Sequence, residues 1–147
     1  MSIHTTCNEG AHLSTILAML PSLNAIGLVV ADIARSVAFY ELLGVPSPKE
    51  MEGPHVEATL PNGLRIMWDT VELIRQINPE WTTPVGQQIG LAFKCEAPAE
   101  VDAAFAAVVA AGNAVATEPW DAFWGQRYAQ VLDPDGNKVD LFAPLAS

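Results

Sequence analysis

Read for the spacing of its apolar positions, the chain states one pattern twice. Ile26-Gly27-Leu28-Val29-Val30 opens the first half and Ile89-Gly90-Leu91-Ala92-Phe93 opens the second. Each run leads into positions recurring every three to four residues, the signature of one helix face: Ile33, Val37, Tyr40 and Leu43, then Val101, Phe105 and Val108. Asp32 is a predicted N-cap, Pro98 a predicted first-turn proline, and Gly44 and Gly112 close the two helices. A weak strand near Met51 and an alternating strand over 55–60 follow in the first half. Strands over 113–117 and 127–132 follow in the second. Each half ends in a tight turn, Leu60-Pro61-Asn62-Gly63 or Asp133-Pro134-Asp135-Gly136, and a last strand over 64–68 or 138–142. A short helix capped by Asp69 and ending at Ile77 precedes the linker between the halves.

The predicted order is βαβββ, linker, βαβββ. Each half has one helix for one sheet face and nothing of its own for the other, so the uncovered faces can make a concave surface. We therefore expect an α+β fold of two tandem modules, 24–77 and 87–145, forming a curved mixed sheet around a cleft. They lie in a single domain over 23–147, after an N-terminal extension over 1–22. Offsets between matched glycines grow from 63 to 68 to 73 residues, which implies small insertions in the second copy. In the extension, Ile16, Leu17 and Leu20 share a helix-like face that would pack on the body or on a neighbouring subunit.

Composition narrows the function classes. Half of the 147 residues are hydrophobic, yet no run approaches the roughly 20 apolar residues that span a bilayer, so no membrane partner is expected. A formal charge of −10 disfavours nucleic acid, whose phosphates need a basic surface, and favours a cationic ligand. Cys7 and Cys95 give no disulfide framework, and no Lys or Arg precedes Arg35 to form the basic region of a signal peptide. A cytoplasmic location is the expectation.

The motifs taken in order resemble the vicinal oxygen chelate superfamily, the glyoxalase/bleomycin-resistance/extradiol-dioxygenase group. The resembling residues are Ile26 to Asp32, Ser36-Val37-Ala38-Phe39-Tyr40 with Leu43-Gly44, Trp124-Gly125, and Asp133-Pro134-Asp135-Gly136 through Leu141. In metal-using members, four strand positions supply ligands, typically His, Glu, His and Glu. They hold an ion that stabilises an enolate or oxyanion. Carried over, those positions are Ala25, Met67, Gln88 and Asp140. Ala25 has no donor atom, and the Met67 thioether is a poor partner for hard divalent ions. The resemblance thus implies the fold with no metal and no cofactor.

If Met67 and Asp140 face the cleft, strand alternation sends Arg65, Asp69, Lys138 and Phe142 there too. It leaves Ile66, Trp68, Val139 and Leu141 for the helices. On the same reasoning His55, Glu57 and Thr59 face the cleft, as do Tyr128 and Gln130. Small residues on the opening strands, Gly27 and Gly90 among them, would leave room for a ligand. Trp120, Phe123, Trp124 and Tyr128 crowd one segment, which as a loop at the cleft mouth would offer flat surfaces to a planar or cationic group. The candidate ligand-binding set is therefore His55, Glu57, Met67, Gln88, Trp120, Phe123, Tyr128, Asp140 and Phe142.

Two functions compete. One is a metal-free, small-molecule-binding protein of the bleomycin-resistance type, for a cationic or aromatic antibiotic-like compound. The resemblance implies a homodimer for it. The other is a lyase, isomerase or dioxygenase-type enzyme of the same superfamily, with a degenerate metal site or with His55 and Glu57 in acid–base roles.

Overall fold

The computed structural model describes residues 20–146, so the expected face of Ile16 and Leu17 lies outside the described residues. Strand β1 (Ala25–Val30) leads into helix α1 (Ile33–Leu42), followed by β2 (His55–Thr59), β3 (Arg65–Thr70) and α2 (Val71–Ile77). After the linker come β4 (Leu91–Lys94), α3 (Pro98–Ala110), β5 (Val115–Ala122), β6 (Gln126–Leu132) and β7 (Lys138–Pro144). The strands form two sheets, ordered β1-β3-β2 and β4-β7-β6-β5, each with one parallel pair and antiparallel neighbours. This is the expected α+β architecture of two related halves.

Alternation divides both sheets as expected. Val56, Ala58, Ile66 and Trp68 are buried in the first sheet, as are Ala129, Val131, Val139 and Leu141 in the second. These residues meet Val37, Phe39 and Tyr40 of α1 and Val101 and Val108 of α3 in one core that runs through both halves. The Tyr40 ring bridges them, its centroid 6.3 Å from that of Trp68 and 6.2 Å from that of Phe93. Burying this much aliphatic and aromatic surface, at about 25 cal/mol per Å², is the main drive to fold.

Local chemistry fixes the element ends. Asp32 caps α1, its Oδ1 accepting from the Arg35 amide at 3.1 Å, as its sequence position predicts. The cap of α2 is Thr70 rather than Asp69. Thr70 Oγ1 accepts from the Leu73 amide, while the Asp69 carboxylate is engaged by His55. The strand expected near Met51 does not form: Pro46, Pro48 and Pro54 punctuate that stretch, and proline cannot donate to a ladder. β4 begins at Leu91, two residues into the run that opens at Ile89. β5 runs on to Ala122, which places Trp120 in a strand rather than in a loop.

The two halves are stapled at one turn. Asp133 is only 4% exposed, and its carboxylate accepts from the Asp135 and Asn137 amides, from Asn137 Nδ2, and from the Tyr40 hydroxyl at 2.7 Å. The Asp135 carboxylate accepts from the Ala31 amide at 2.9 Å, beside the end of β1. Removing one donor from a buried carboxylate leaves it partly unsatisfied. Tyr40→Phe should therefore lower stability by about 1–3 kcal/mol. In urea the unfolding midpoint should fall with an unchanged m-value.

Candidate functional site

Strand registers place the candidate residues on two open sheet faces. In the first sheet, Ala25, Arg65 and Thr59 lie in one row across the strands, Gly27, Met67 and Glu57 in the next, and Val29, Asp69 and His55 in the third. In the second sheet, Ala92, Asp140, Gln130 and Thr117 form one row, and Lys94, Phe142, Tyr128 and Trp120 the next. Two register shifts in β5 decide the last member of each row. They bring Thr117 and then Trp120, rather than Pro119, opposite the open-face residues of β6.

A charge chain crosses the first face. His55 Nδ1 lies 2.5 Å from Asp69 Oδ1, and His55 Nε2 lies 3.0 Å from Glu57 Oε2. Arg65 donates to that same Glu57 oxygen at 2.8 Å and, through Nε, to Asn24 Oδ1 at 3.0 Å. The Asp69 hydrogen bond, with Glu57 second, raises the His55 pKa above the ordinary imidazole range. His55, followed by Arg65, lowers that of Glu57. The Asp69 partner was open to inference from the sequence, since counting outward from a three-residue Pro61-Asn62-Gly63 turn pairs residue 60 with residue 64 and residue 55 with residue 69.

The second face carries a neutral polar relay ending in a carboxylate. Thr117 Oγ1 donates to Gln130 Oε1 at 3.1 Å, and Gln130 Nε2 donates to Asp140 Oδ1 at 3.0 Å. Burial, then the neighbouring Asp140 carboxylate, pushes the Tyr128 pKa up to about 12. Among the described residues no cationic side chain pairs with Asp140; the ion pairs fall on Glu57, Asp69, Asp102 and Asp121. Trp124 is the hub of an aromatic cluster beside this row. Its ring centre lies 5.5 Å from Trp120, 5.0 Å from Phe123 and 5.2 Å from Tyr128, each pair edge to face. Its Nε1 donates to Gln126 Oε1 at 2.8 Å.

A groove of about 590 Å³ opens on Asp140 and Gln130, walled by linker residues including Gln88 and by the start of β7. Gln88 and Asp140 thus share one groove whose lining includes no residue of the first sheet. Trp120, Tyr128 and Phe142 lie on the same open face as Asp140, one row away. Phe123 sits in the β5–β6 turn, 90% exposed. His55, Glu57 and Met67 belong to the other sheet, and the hydrogen bonds of His55 and Glu57 stay within it.

Residues 22–141 match the model of the Glyoxalase/Bleomycin resistance protein/Dioxygenase superfamily, and the chain belongs to that superfamily. Solved structures share the fold. A glyoxalase/bleomycin resistance protein/dioxygenase family enzyme from Burkholderia phytofirmans PsJN is 20% identical, with a TM-score of 0.76 over 85% of this chain and 100% of that one. A glyoxalase-related enzyme from Fulvimarina pelagi is 23% identical, with a TM-score of 0.74 over 84% and 88%. A glyoxalase/bleomycin resistance protein/dioxygenase from Nocardioides is 23% identical, with a TM-score of 0.71 over 95% of each chain. Among curated proteins none matches the chain.

The metal implied by that family does not fit the side chains present. Ala25 lies seven residues before its helix cap, Asp32, and pairs with Arg65, two residues before Met67. The position seven residues before the second cap, Ala97, is Gly90. It immediately precedes Leu91, which pairs with Val139, the residue before Asp140. Structural equivalence therefore assigns the third ligand position to Gly90 rather than to Gln88, two residues earlier. Matching Gly27 with Gly90 by sequence slips the halves by two residues, a shift that alternation cannot detect because it preserves the face. The donor set becomes Ala25, Met67, Gly90 and Asp140. It holds one carboxylate and a thioether, short of what a hard divalent cation requires. No group of three or more His, Cys, Asp or Glu among the described residues is arranged to hold an ion.

The raised His55 pKa has a defined consequence for stability. Its stabilising interaction is fully present below the unfolded value of about 6.5 and is lost as pH rises through the higher folded value. The stability difference between wild type and His55→Gln should therefore be largest in acid and shrink above neutral pH. NMR titration of the His55 ring should show a midpoint above about 6.5.

Proposed function

We propose that this superfamily member binds a small cationic aromatic compound on the open face of its second sheet, with Asp140 as anion and the Trp120–Trp124–Tyr128 cluster as aromatic surface. The observation that carries the reading is the Asp140 carboxylate itself. It is half-buried and oriented by Gln130, and no cation pairs with it among the described residues. A carboxylate so placed attracts a ligand's positive charge more strongly than one in bulk water. The adjacent rings add face and edge contacts suited to a planar cation. The overall charge of −10 concentrates cations near the surface in the same sense. In this reading the ligand is held without chemistry, in the manner implied by the bleomycin-resistance part of the family name. Gln88 and Phe142 contribute further contacts at the groove. The chain would act as a homodimer.

One feature favours a second reading, acid–base catalysis at the first sheet. Asp69 holds Nδ1 of His55, which leaves Nε2 for proton transfer once Glu57 moves aside. Here His55 and Glu57 would act on a ligand lying over Met67.

Ethidium, a planar cation, and anilinonaphthalene sulfonate, a comparably sized anion, test the first reading by fluorescence titration. Ethidium should bind saturably and the anion should not. Asp140→Asn should weaken ethidium about tenfold, as expected for loss of a charged contact worth about 1.4 kcal/mol. Trp120→Ala should weaken it by about 0.5–2 kcal/mol. Equal affinity for both dyes, or wild-type affinity in both variants, would remove Asp140 and Trp120 from the site.

A further inference from the structure

The linker that walls the groove is held by one side chain. Residues 82–90 are exposed, and among the described residues no backbone–backbone hydrogen bond outside the regular strands fixes them. Gln87 does the holding. Its Oε1 accepts from the Lys138 amide at 2.7 Å, and its Nε2 donates to the Lys138 carbonyl at 2.9 Å and to the Ile89 carbonyl at 3.1 Å. A carboxamide is the side-chain equivalent of a peptide group. Gln87 therefore gives the first residue of β7 both partners that one more residue of β4 would have given it. This accounts for the late start of β4 at Leu91.

Gly90 leaves the space beside the Gln87 amide open. A Cβ at position 90 would lie 3.6 Å from Gln87 Nε2, already in contact, so a longer side chain there would compete with the amide for space. The position that structural equivalence assigns to a metal ligand in relatives is thus bare, and the Gln87 amide rests beside it.

We propose that Gln87 is a latch that keeps the linker closed against β7 and so controls access to the Asp140 groove. The groove's walls support this: Pro84, Gly86, Gln88 and Ile89 belong to the latched segment, and Gln130 and Asp140 to the sheet opposite. A segment held by one residue opens locally without global unfolding. The Gly86 φ of +80° supplies a left-handed bend next to the latch, where glycine moves at least cost. The latch itself stands on geometry alone; its gating role rests on the binding reading above. Gln87 lines the groove with these residues, and in this scheme it acts by holding the wall closed.

The test compares wild type, Gln87→Ala, Gln87→Glu and, as a control in the same linker, Thr83→Ala. Hydrogen exchange should show the Lys138 amide opening roughly five- to tenfold faster in Gln87→Ala, as expected for loss of a net-favourable hydrogen-bond pair. Thermolysin cleavage before Val85 and Ile89 should accelerate in parallel. Gln87→Glu keeps an acceptor for the Lys138 amide but sets a carboxylate against two carbonyl oxygens, so its exchange rate should fall between the two. Thr83→Ala should match wild type. Stopped-flow mixing with ethidium should show faster association and faster dissociation in Gln87→Ala, with a smaller change in Kd, the behaviour of an opened gate. Wild-type exchange and cleavage in both Gln87 variants would overturn the latch. Faster exchange with unchanged ethidium rates would overturn the gating. If ethidium fails to bind wild-type protein, the binding reading falls, and exchange and cleavage still decide the latch.

Discussion

A carboxylate taken out of water must be met by donors, and Asp133 meets this demand with groups from both halves of the chain. Its own turn supplies the Asp135 and Asn137 amides and Asn137 Nδ2, and helix α1, nearly a hundred residues earlier, supplies the Tyr40 hydroxyl. The core draws on both halves, but apolar packing tolerates sliding, whereas a buried hydrogen-bonded carboxylate does not. The turn that Asp133 organises leads directly into β7. Its position relative to α1 therefore fixes where Lys138, Asp140 and Phe142 stand. Burial and the Asp133 carboxylate also push the Tyr40 pKa above the usual phenol range, so the hydroxyl remains a donor throughout the physiological range.

From that fixed turn the two open faces diverge in chemistry. The first closes its charges on one another, Arg65 to Glu57 to His55 to Asp69, and leaves little net field for a ligand. The second leaves Asp140 with neutral partners and sets aromatic rings beside it. Both faces descend from the same strand pattern, yet Met67 and Asp140 occupy equivalent places with opposite character. Small residues on or just before the opening strands, Ala25 and Gly27 in one half and Gly90 and Ala92 in the other, remove the donors that a metal would need. They also leave space: the Met67 side chain lies beside Gly27 and the Gln87 amide beside Gly90.

Much of this was legible in the sequence, because period-two alternation and helical spacing report burial directly. The buried set of Ile66, Trp68, Val139 and Leu141 and the open set of His55, Glu57, Met67 and Asp140 follow from alternation. What escaped depended on register or on side chains that imitate backbone. A two-residue slip between Gly27 and Gly90 preserves every face, so Gln88 stood in for Gly90 as the ligand position. Two register shifts in β5 set Trp120 opposite Tyr128, and such shifts leave no periodic trace. Thr70 caps the helix in place of Asp69, whose carboxylate is engaged by His55 from the neighbouring strand. Gln87 escaped because completing a sheet edge with a side-chain amide has no sequence pattern of its own.

This chain keeps the family fold while its ligand-holding positions no longer suit a metal. Protein purified without tag or chelator, then titrated calorimetrically with Zn²⁺, Ni²⁺, Mn²⁺ and Fe²⁺, tests it most directly. Uptake should show no saturation near one equivalent per chain and no dependence on Asp140. Tight uptake near one equivalent that disappears in Asp140→Asn would contradict it and return the second sheet to metal chemistry.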